Sequence, residues 1–458
     1  MLTDLLLALS LVGGAAPIAL HPDNPHYFVF RDKPTILISS GEHYGSVLNS
    51  VFEYTRYLKE LQRRHFNYTR IFTGTYCEEP RAFDIRDNTL APGPGRFICP
   101  WARGSTSGYS NGGSKFDLTQ WDESYFRRLK AFCSEAGNRG IVIEISLFCP
   151  FYEESMWNLS PMNARNNVNG IGRCGREEVY ALKHADLTAA QDALTRKMAR
   201  ELAGFDNIIF EICNEPYFGG VTLAWQRQLS GVIADEERKT GVRHLIAQNI
   251  ANGAARVTDP DPEVSVLNFH YAAPPDAVAE NFDVRRAIGF DETGFKGSSD
   301  LPYRTEGWDF LMAGGGLYNN LDYSFTVGSP HGGADVAPPT PGGGGHALRR
   351  QLSILQKFFA RLDFVKMHPA NNVIVSRLPE GVTARVLVEP GRVYAAYIKS
   401  GKAVSLTLDL PAGRYSPEWV HPKTGETERV QAITHAGGRL ELPMPRYDED
   451  IALRLVRR

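Results

Sequence analysis

The chain has 458 residues, 43% of them hydrophobic and 22% charged, an ordinary balance for a soluble globular protein with a substantial core. Fifty basic residues against 52 acidic ones leave a formal net charge of −2, so no global field directs the chain toward nucleic acid or an anionic membrane. The length is too great for one small domain, yet one (β/α)8 barrel can absorb well over half of it and leave a smaller appendage.

The first residues carry an apolar run, Leu5 to Val12, followed by the small residues Gly13 to Ala16. This pattern predicts a signal peptide over residues 1–19, and with it a secreted or periplasmic protein, although no Lys or Arg precedes the run. The alternative is a buried or amphipathic N-terminal helix. No later apolar stretch reaches membrane-spanning length.

After an extended segment, HYFVFRDKPTILIS, strand-like and helix-like periods alternate. Apolar runs predict strands at 35–40, 68–72, 140–148, 207–213, 244–250, 264–270, 286–291 and, more weakly, 314–320. Helical periods stand between several of them, in VFEYTRYLKELQRR, ESYFRRLKAFCSEAG, LTAAQDALTRKMARELAG, TLAWQRQLSGVIADEERKTG and ALRRQLSILQKFFARL. Eight strand candidates, several continuously apolar, predict a parallel sheet covered by helices, and the count favours a closed (β/α)8 TIM barrel over residues 20–365. Two strand-to-helix connections, Gly74 to Gln120 and Pro150 to Ala185, are long and would wall a cleft at the C-terminal rim. Beyond Leu362 the period changes to short alternating runs separated by EPGR, KSGK, PAGR and PKTG, which predicts a small antiparallel β-sandwich over 372–458.

Six cysteines show no CxxC pair and no zinc-type spacing. Cys133 and Cys213 read as buried thiols. Cys77, Cys99, Cys149 and Cys174 fall in the long connections, where bridges would be useful in an oxidising compartment, with pairing left open. There is no HExxH and the 12 histidines are scattered, so no metal site and no cofactor is implied.

The chemistry concentrates in FEICNEPYF. Pro216 and the pair Gly219-Gly220 end the strand and place Asn214 and Glu215 at its mouth. Glu211, an even number of residues earlier, shares the inward face but lies deeper. A carboxylate buried there needs a partner, and Arg70 in YTRIF is the expected one.

Asn214-Glu215-Pro216 after an apolar strand resembles the strand-four signature of the retaining (β/α)8 glycoside hydrolases of clan A, the cellulase-like branch in particular. The resemblance spans roughly residues 30 to 362. It implies that Glu215 is the general acid/base and that Asn214 meets the sugar 2-hydroxyl. RRAIGFDETGF is similar to the clan's strand-seven ending and makes Glu292 the nucleophile, with Asp291 expected to point away from the barrel axis. NYTR at 67–70 is similar to the clan's strand-two Asn-x-x-Arg, so Arg70 would keep Glu292 ionised. His270 matches the strand-six histidine. Retaining hydrolysis then requires the two carboxyls roughly 5 to 5.5 Å apart.

The chain departs from the pattern at several points. Tyr271 follows His270 directly, one place earlier than the family's tyrosine; Ser146 stands where a strand-three histidine is usual; and Tyr318, Asn319 and Asn320 occupy the strand-eight mouth in place of a tryptophan. SGEHYGS puts Glu42, His43 and Tyr44 on the rim, where they could grip a terminal sugar, a capping role being the alternative for Glu42 and His43. Trp101, Trp157 and Trp308 are candidate stacking rings. The expected protein is a retaining β-glycoside hydrolase acting on a plant or microbial oligo- or polysaccharide. The competing reading is a non-catalytic carbohydrate-binding protein on the same barrel.

Overall fold

The structure is a computed structural model that describes residues 16–400 and 403–458, so most of the expected export segment lies outside the described residues. Its last residues already belong to the fold: Ile18 is fully buried, and Ala19–Leu20 pairs with Phe28–Phe30 beneath the barrel.

Eight strands form one parallel sheet: β1 (Leu37–Gly41), β2 (Tyr68–Phe72), β3 (Val142–Phe148), β4 (Ile208–Cys213), β5 (Leu245–Asn252), β6 (Val266–His270), β7 (Ala287–Glu292) and β8 (Leu317–Leu321). The sheet runs β1-β8-β7-β6-β5-β4-β3-β2, which brings β1 and β2 to its two ends. Asn67 sews those ends together, its side-chain amide donating to the Ile36 carbonyl (2.8 Å) and accepting from the Ile38 N–H (2.9 Å). The barrel is thus nearly closed, and all eight strand expectations are met within a few residues.

Side-chain alternation stacks the interior in layers. The lowest is apolar, with Leu37, Tyr68, Val142, Ile209, Leu245, Val266, Ala287 and Leu317 plugged from below by Ile18, Phe28 and Phe30. Two residues further along the strands the interior turns polar, with Arg70, Glu144, Glu211 and Asn268 buried above that plug.

Besides a single turn at Glu154–Trp157, the helices are α1 (Tyr54–Arg63), α2 (Glu123–Asn138), α3 (Ala185–Leu202), α4 (Leu223–Thr240), α5 (Asp276–Asn281), α6 (Asp300–Met312) and α7 (His346–Phe359). Asp122 caps α2 by accepting from the Ser124 and Tyr125 N–H groups, and Thr222 caps α4 by accepting from Trp225. No helix joins β5 to β6. The sequence gives little sign of α6 because nearly all of it is buried, so it lacks the polar stripe that marks an amphipathic helix.

What covers α6 is the C-terminal unit. A seven-stranded antiparallel sheet and a two-stranded sheet (Ser405–Leu410 with Gly438–Pro443) enclose a second core that includes Leu408, Trp419 and Leu453. Trp308 stacks on Tyr397 (5.4 Å between centroids), Arg304 is bonded to Asp450 (3.0 and 3.1 Å), and Asp309 receives Arg385 and Lys399. The long connection after β2 is partly ordered by a hairpin, Trp101–Ser107 with Ser114–Trp121.

All six cysteines are free. Two of the four thiols expected to bridge are engaged elsewhere: Cys99 donates to the Trp101 carbonyl (3.7 Å), and Cys149 lies against Asn214 (3.4 Å) and the Tyr152 hydroxyl (3.9 Å). Among the described residues no helix is long and apolar enough to cross a membrane.

Candidate active site

The strand-four and strand-seven glutamates converge. A carboxylate oxygen of Glu215, one of Glu292 and a ring nitrogen of His270 all lie within 4.8 Å of one another, and the two glutamates are only 7% and 6% exposed. Glu292 Oε2 accepts from the Tyr44 hydroxyl (2.8 Å) and from Arg70 Nη1 (3.2 Å), while its Oε1 accepts from the Tyr271 hydroxyl (2.9 Å). Glu215 accepts from the hydroxyls of Tyr152 and Tyr217, and its N–H donates to Asn249 Oδ1 (3.1 Å). Tyr271 therefore touches the strand-seven carboxylate although its place in the chain is displaced.

Arg70 is the hub beneath them. Fully buried, it donates through Nε to Glu211 (2.8 Å) and through Nη2 to Asn214 Oδ1 (2.7 Å), in addition to Glu292. Asn249 Nδ2 donates to the other Glu211 oxygen (2.6 Å), so Glu211 organises both the guanidinium and the amide that holds the Glu215 backbone. The Glu211–Arg70 pair anticipated from burial is present.

Asp291 corrects an expectation. It is fully buried and faces inward, 3.5 Å from Arg70 Nε and 3.4 Å from His270 Nε2. Counting from Ala287 in the apolar plug, strict alternation brings Gly289 and Asp291 inward and would turn Glu292 outward. The register explains why it does not: Phe269 pairs with Phe290 but His270 pairs with Glu292, so Asp291 is the extra residue of a β-bulge. The bulge re-aims Glu292 into the cavity. Asn319 Nδ2 holds the bulged backbone at the Asp291 carbonyl (3.0 Å).

The interior also gathers acids that are far apart in the chain. Oxygens of Glu144, Glu211 and Asp291 lie within 4.8 Å of one another, which the scattered sequence positions did not suggest. Burial pushes Glu144 well above the usual carboxylate range, and it accepts from Tyr68 (3.0 Å) and Asn268 (2.6 Å). Arg70 and His270 supply the positive charge. Burial opposes the charge on His270, but attraction from Glu292 and Asp291 outweighs it and lifts the imidazole well above its ordinary value. Burial likewise opposes the charge on Glu215, yet the His270 hydrogen bond (Nδ1 to Oε1, 3.2 Å) keeps that carboxyl below its ordinary value.

The remaining expected site residues divide. His43 lines the cavity, with Nε2 against Glu78 Oε2 (3.2 Å). Glu42 does not reach it: its carboxylate accepts from the Gly45 and Ser46 N–H groups (3.1 and 3.0 Å) and from Thr89 Oγ1 (2.6 Å), binding the rim loops together. Tyr318 turns out toward α6, donating to the Tyr303 carbonyl, because alternation along β8 directs Asn319 inward instead. Trp101 is fully buried in its hairpin, and Trp157 and Trp308 are also core residues, so none of the three is a stacking surface at the mouth. Sequence reasoning missed Tyr152, Glu78 and Phe83, which stand on the long loops with no periodic signal, and Phe295, in the short connection between β7 and α6.

The cavity, about 80 Å³, also gathers strained backbone. Of the non-glycine residues with positive φ, Tyr44 (57°), Phe83 (55°), Glu215 (36°), Tyr271 (50°) and Phe295 (59°) all line it. Each such conformation costs on the order of 1 kcal/mol or more, and such strain concentrates where side chains must be aimed at a ligand.

No protein-family model and no curated protein sequence matches the chain. Solved structures do. A Bacteroides vulgatus protein assigned as a glycoside hydrolase superposes with a TM-score of 0.66 at 13% identity, over 97% of this chain and 82% of that one. A glycoside hydrolase family 5 structure from the same organism gives 0.63 at 11% identity, over 96% and 94%. An endo-β-1,4-mannanase from Thermotoga petrophila gives 0.50 at 12% identity, over 90% and 92%. At these identities the likeness is one of fold: an eight-stranded parallel barrel followed by an antiparallel β-domain.

Proposed function

We propose that the protein is a retaining β-glycoside hydrolase in which Glu292 is the nucleophile and Glu215 the general acid/base. The observation that carries this reading is the meeting of the two strand-end carboxyls: an oxygen of each within 4.8 Å of the other, with Arg70 beneath Glu292 and His270 between them. That spacing suits direct attack, for which roughly 5 to 5.5 Å between carboxyl groups is typical, better than the wider separation of an inverting enzyme. Buried, converging carboxyls are what catalysis requires and what a non-catalytic binding groove does not.

In the first half-reaction a Glu292 oxygen attacks the anomeric carbon as the glycosidic C–O bond breaks, and the departing oxygen takes a proton from Glu215. Tyr44, Tyr271 and Arg70 hold the attacking carboxylate in one orientation. In the second half Glu215, now a base, takes a proton from water as its oxygen attacks the same carbon and Glu292 leaves. In the free protein His270 draws Glu215 toward its ionised form. The reading therefore assigns His270 the role of holding the proton 3.2 Å from Glu215 Oε1 until a bound sugar displaces water and favours the neutral carboxyl. His43, lining the cavity beside Glu78, is proposed to meet glycone hydroxyls. Export, suggested by the apolar N-terminal run, belongs to the same reading.

The test is incubation with a panel of aryl β-glycosides, comparing the native protein with Glu292→Gln. Loss of turnover with the fold retained is expected; equal turnover would reject the nucleophile assignment.

A further inference from the structure

Three large apolar side chains stand exposed at the mouth of the cavity: Phe83 (39%), Phe218 (43%) and Phe295 (48%). They form one group. The rings of Phe83 and Phe218 approach Tyr152 at 5.4 and 5.7 Å, and that of Phe295 approaches Tyr271 at 6.2 Å and Phe83 at 6.5 Å. Tyr152 and Tyr271 are the tyrosines that donate to Glu215 and Glu292, so the phenyl collar is continuous with the reacting groups. Phe83 and Phe295 hold their rings in water from strained, left-handed backbones. A chain that accepts both costs at one place has an occupant for the collar.

The proton donor shows on which side that occupant lies. With Glu215 as the proton donor proposed above, the group beyond the glycosidic oxygen would leave past Phe218, whose ring meets Tyr152, and past Phe83, which packs on the same tyrosine bonded to Glu215. A second sugar there would present hydroxyls that need partners. Of the hydroxyls beside the collar, Tyr152 is committed to Glu215, Tyr217 to Asn252 and Glu215, and Tyr271 to Glu292, while the unpaired Tyr323 hydroxyl is buried behind Gly294. Phenyl rings offer none.

We infer that the leaving-group side of the site takes an apolar aglycone, aryl or alkyl, rather than a further sugar. This rests on the glycosidase reading above and narrows its substrate class.

The experiment uses matched methyl and octyl β-glycosides of several sugars, together with β-linked disaccharides of the same sugars, on the full chain. Alkyl alcohols differ little as leaving groups, so the series reads apolar contact rather than chemistry. For the sugar accepted, kcat/KM is expected to rise by roughly tenfold or more from methyl to octyl, as burial of added methylenes requires. Phe83→Ala, Phe295→Ala and the double variant should shrink that ratio stepwise. Val375→Ala, removing an exposed apolar side chain outside the collar, should leave the ratio as it is. A flat methyl-to-octyl series with hydrolysis intact, or disaccharides cleaved faster than the octyl glycoside, overturns the apolar aglycone alone. An unchanged ratio in the double variant does the same for the collar. Failure to hydrolyse any member overturns the glycosidase reading and this inference with it.

Discussion

Replacing Arg70 by methionine keeps much of the side-chain volume and removes the charge at the centre of the barrel. Arg70 is fully buried and donates to Glu211 (2.8 Å), Asn214 (2.7 Å) and Glu292 (3.2 Å), with Asp291 3.5 Å away. Removing one partner of a buried ion pair costs about 3 to 5 kcal/mol, chiefly because the other charge is stranded in a low-dielectric interior. Here three carboxylates lose the same cation, which places Arg70→Met at the upper end. A loss of about 5 kcal/mol corresponds to a few thousand-fold in the folding equilibrium. Adding Glu211→Gln removes one of the stranded charges, so the double variant should be more stable than the sum of the single losses predicts, by about 1 to 3 kcal/mol. Urea unfolding followed by circular dichroism and tryptophan fluorescence measures all four corners of this cycle. An Arg70→Met variant within about 1 kcal/mol of the native protein, or strict additivity in the double variant, would refute the argument that Arg70 is the obligatory counter-charge.

Three further outcomes follow from the same geometry. Glu215→Ala should lose about 10²- to 10⁴-fold in kcat/KM on alkyl glycosides, whose leaving oxygen needs a proton, and much less on dinitrophenyl glycosides, whose leaving group does not; equal losses would remove Glu215 from the acid role. His270 is raised above its unfolded value of 6.5 by Glu292 and Asp291, so its contribution to stability is fully present below about pH 6.5 and is lost as pH rises through the folded value. The thermal midpoint of the native protein should therefore fall on the alkaline side, and His270→Gln should flatten that fall; an unaltered alkaline limb in the variant would contradict it. Asp450→Asn strips the buried Arg304 of its bidentate partner and should cost about 3 kcal/mol, seen in calorimetry as separated barrel and C-terminal transitions, whereas one unchanged transition would show that this contact does not couple them.

The sequence revealed what depends on local period. Seven of the eight barrel strands are buried along their whole length, most of them as apolar runs, and Glu215 and Glu292 stand where two of those runs stop. It hid what depends on three-dimensional context. Helix α6 lost its polar stripe because the C-terminal sheet covers it, and Glu292 enters the cavity only because a bulge at Asp291 breaks the alternation from which Asp291 was expected to point outward. Position in a rim loop does not tell where a carboxylate finds its donors, and those of Glu42 are two backbone N–H groups and Thr89 rather than a ligand in the cavity. Phe83 and Tyr152 lie on long connections and Phe295 in the turn after β7, where neither spacing nor composition marks the residues that fold back over the site.

The central claim is that Glu292 forms a covalent bond to the sugar. Activated 2-deoxy-2-fluoro β-glycosides of the accepted sugar slow breakdown of such an intermediate, and peptide mass analysis locates the label. A fluoroglycosyl ester on the peptide that contains Asp291, Glu292 and Gly294, with fragmentation placing it on Glu292, is the expected result. A label on Asp291 or Glu215, or turnover that gives the inverted anomer with no adduct at all, would contradict the account.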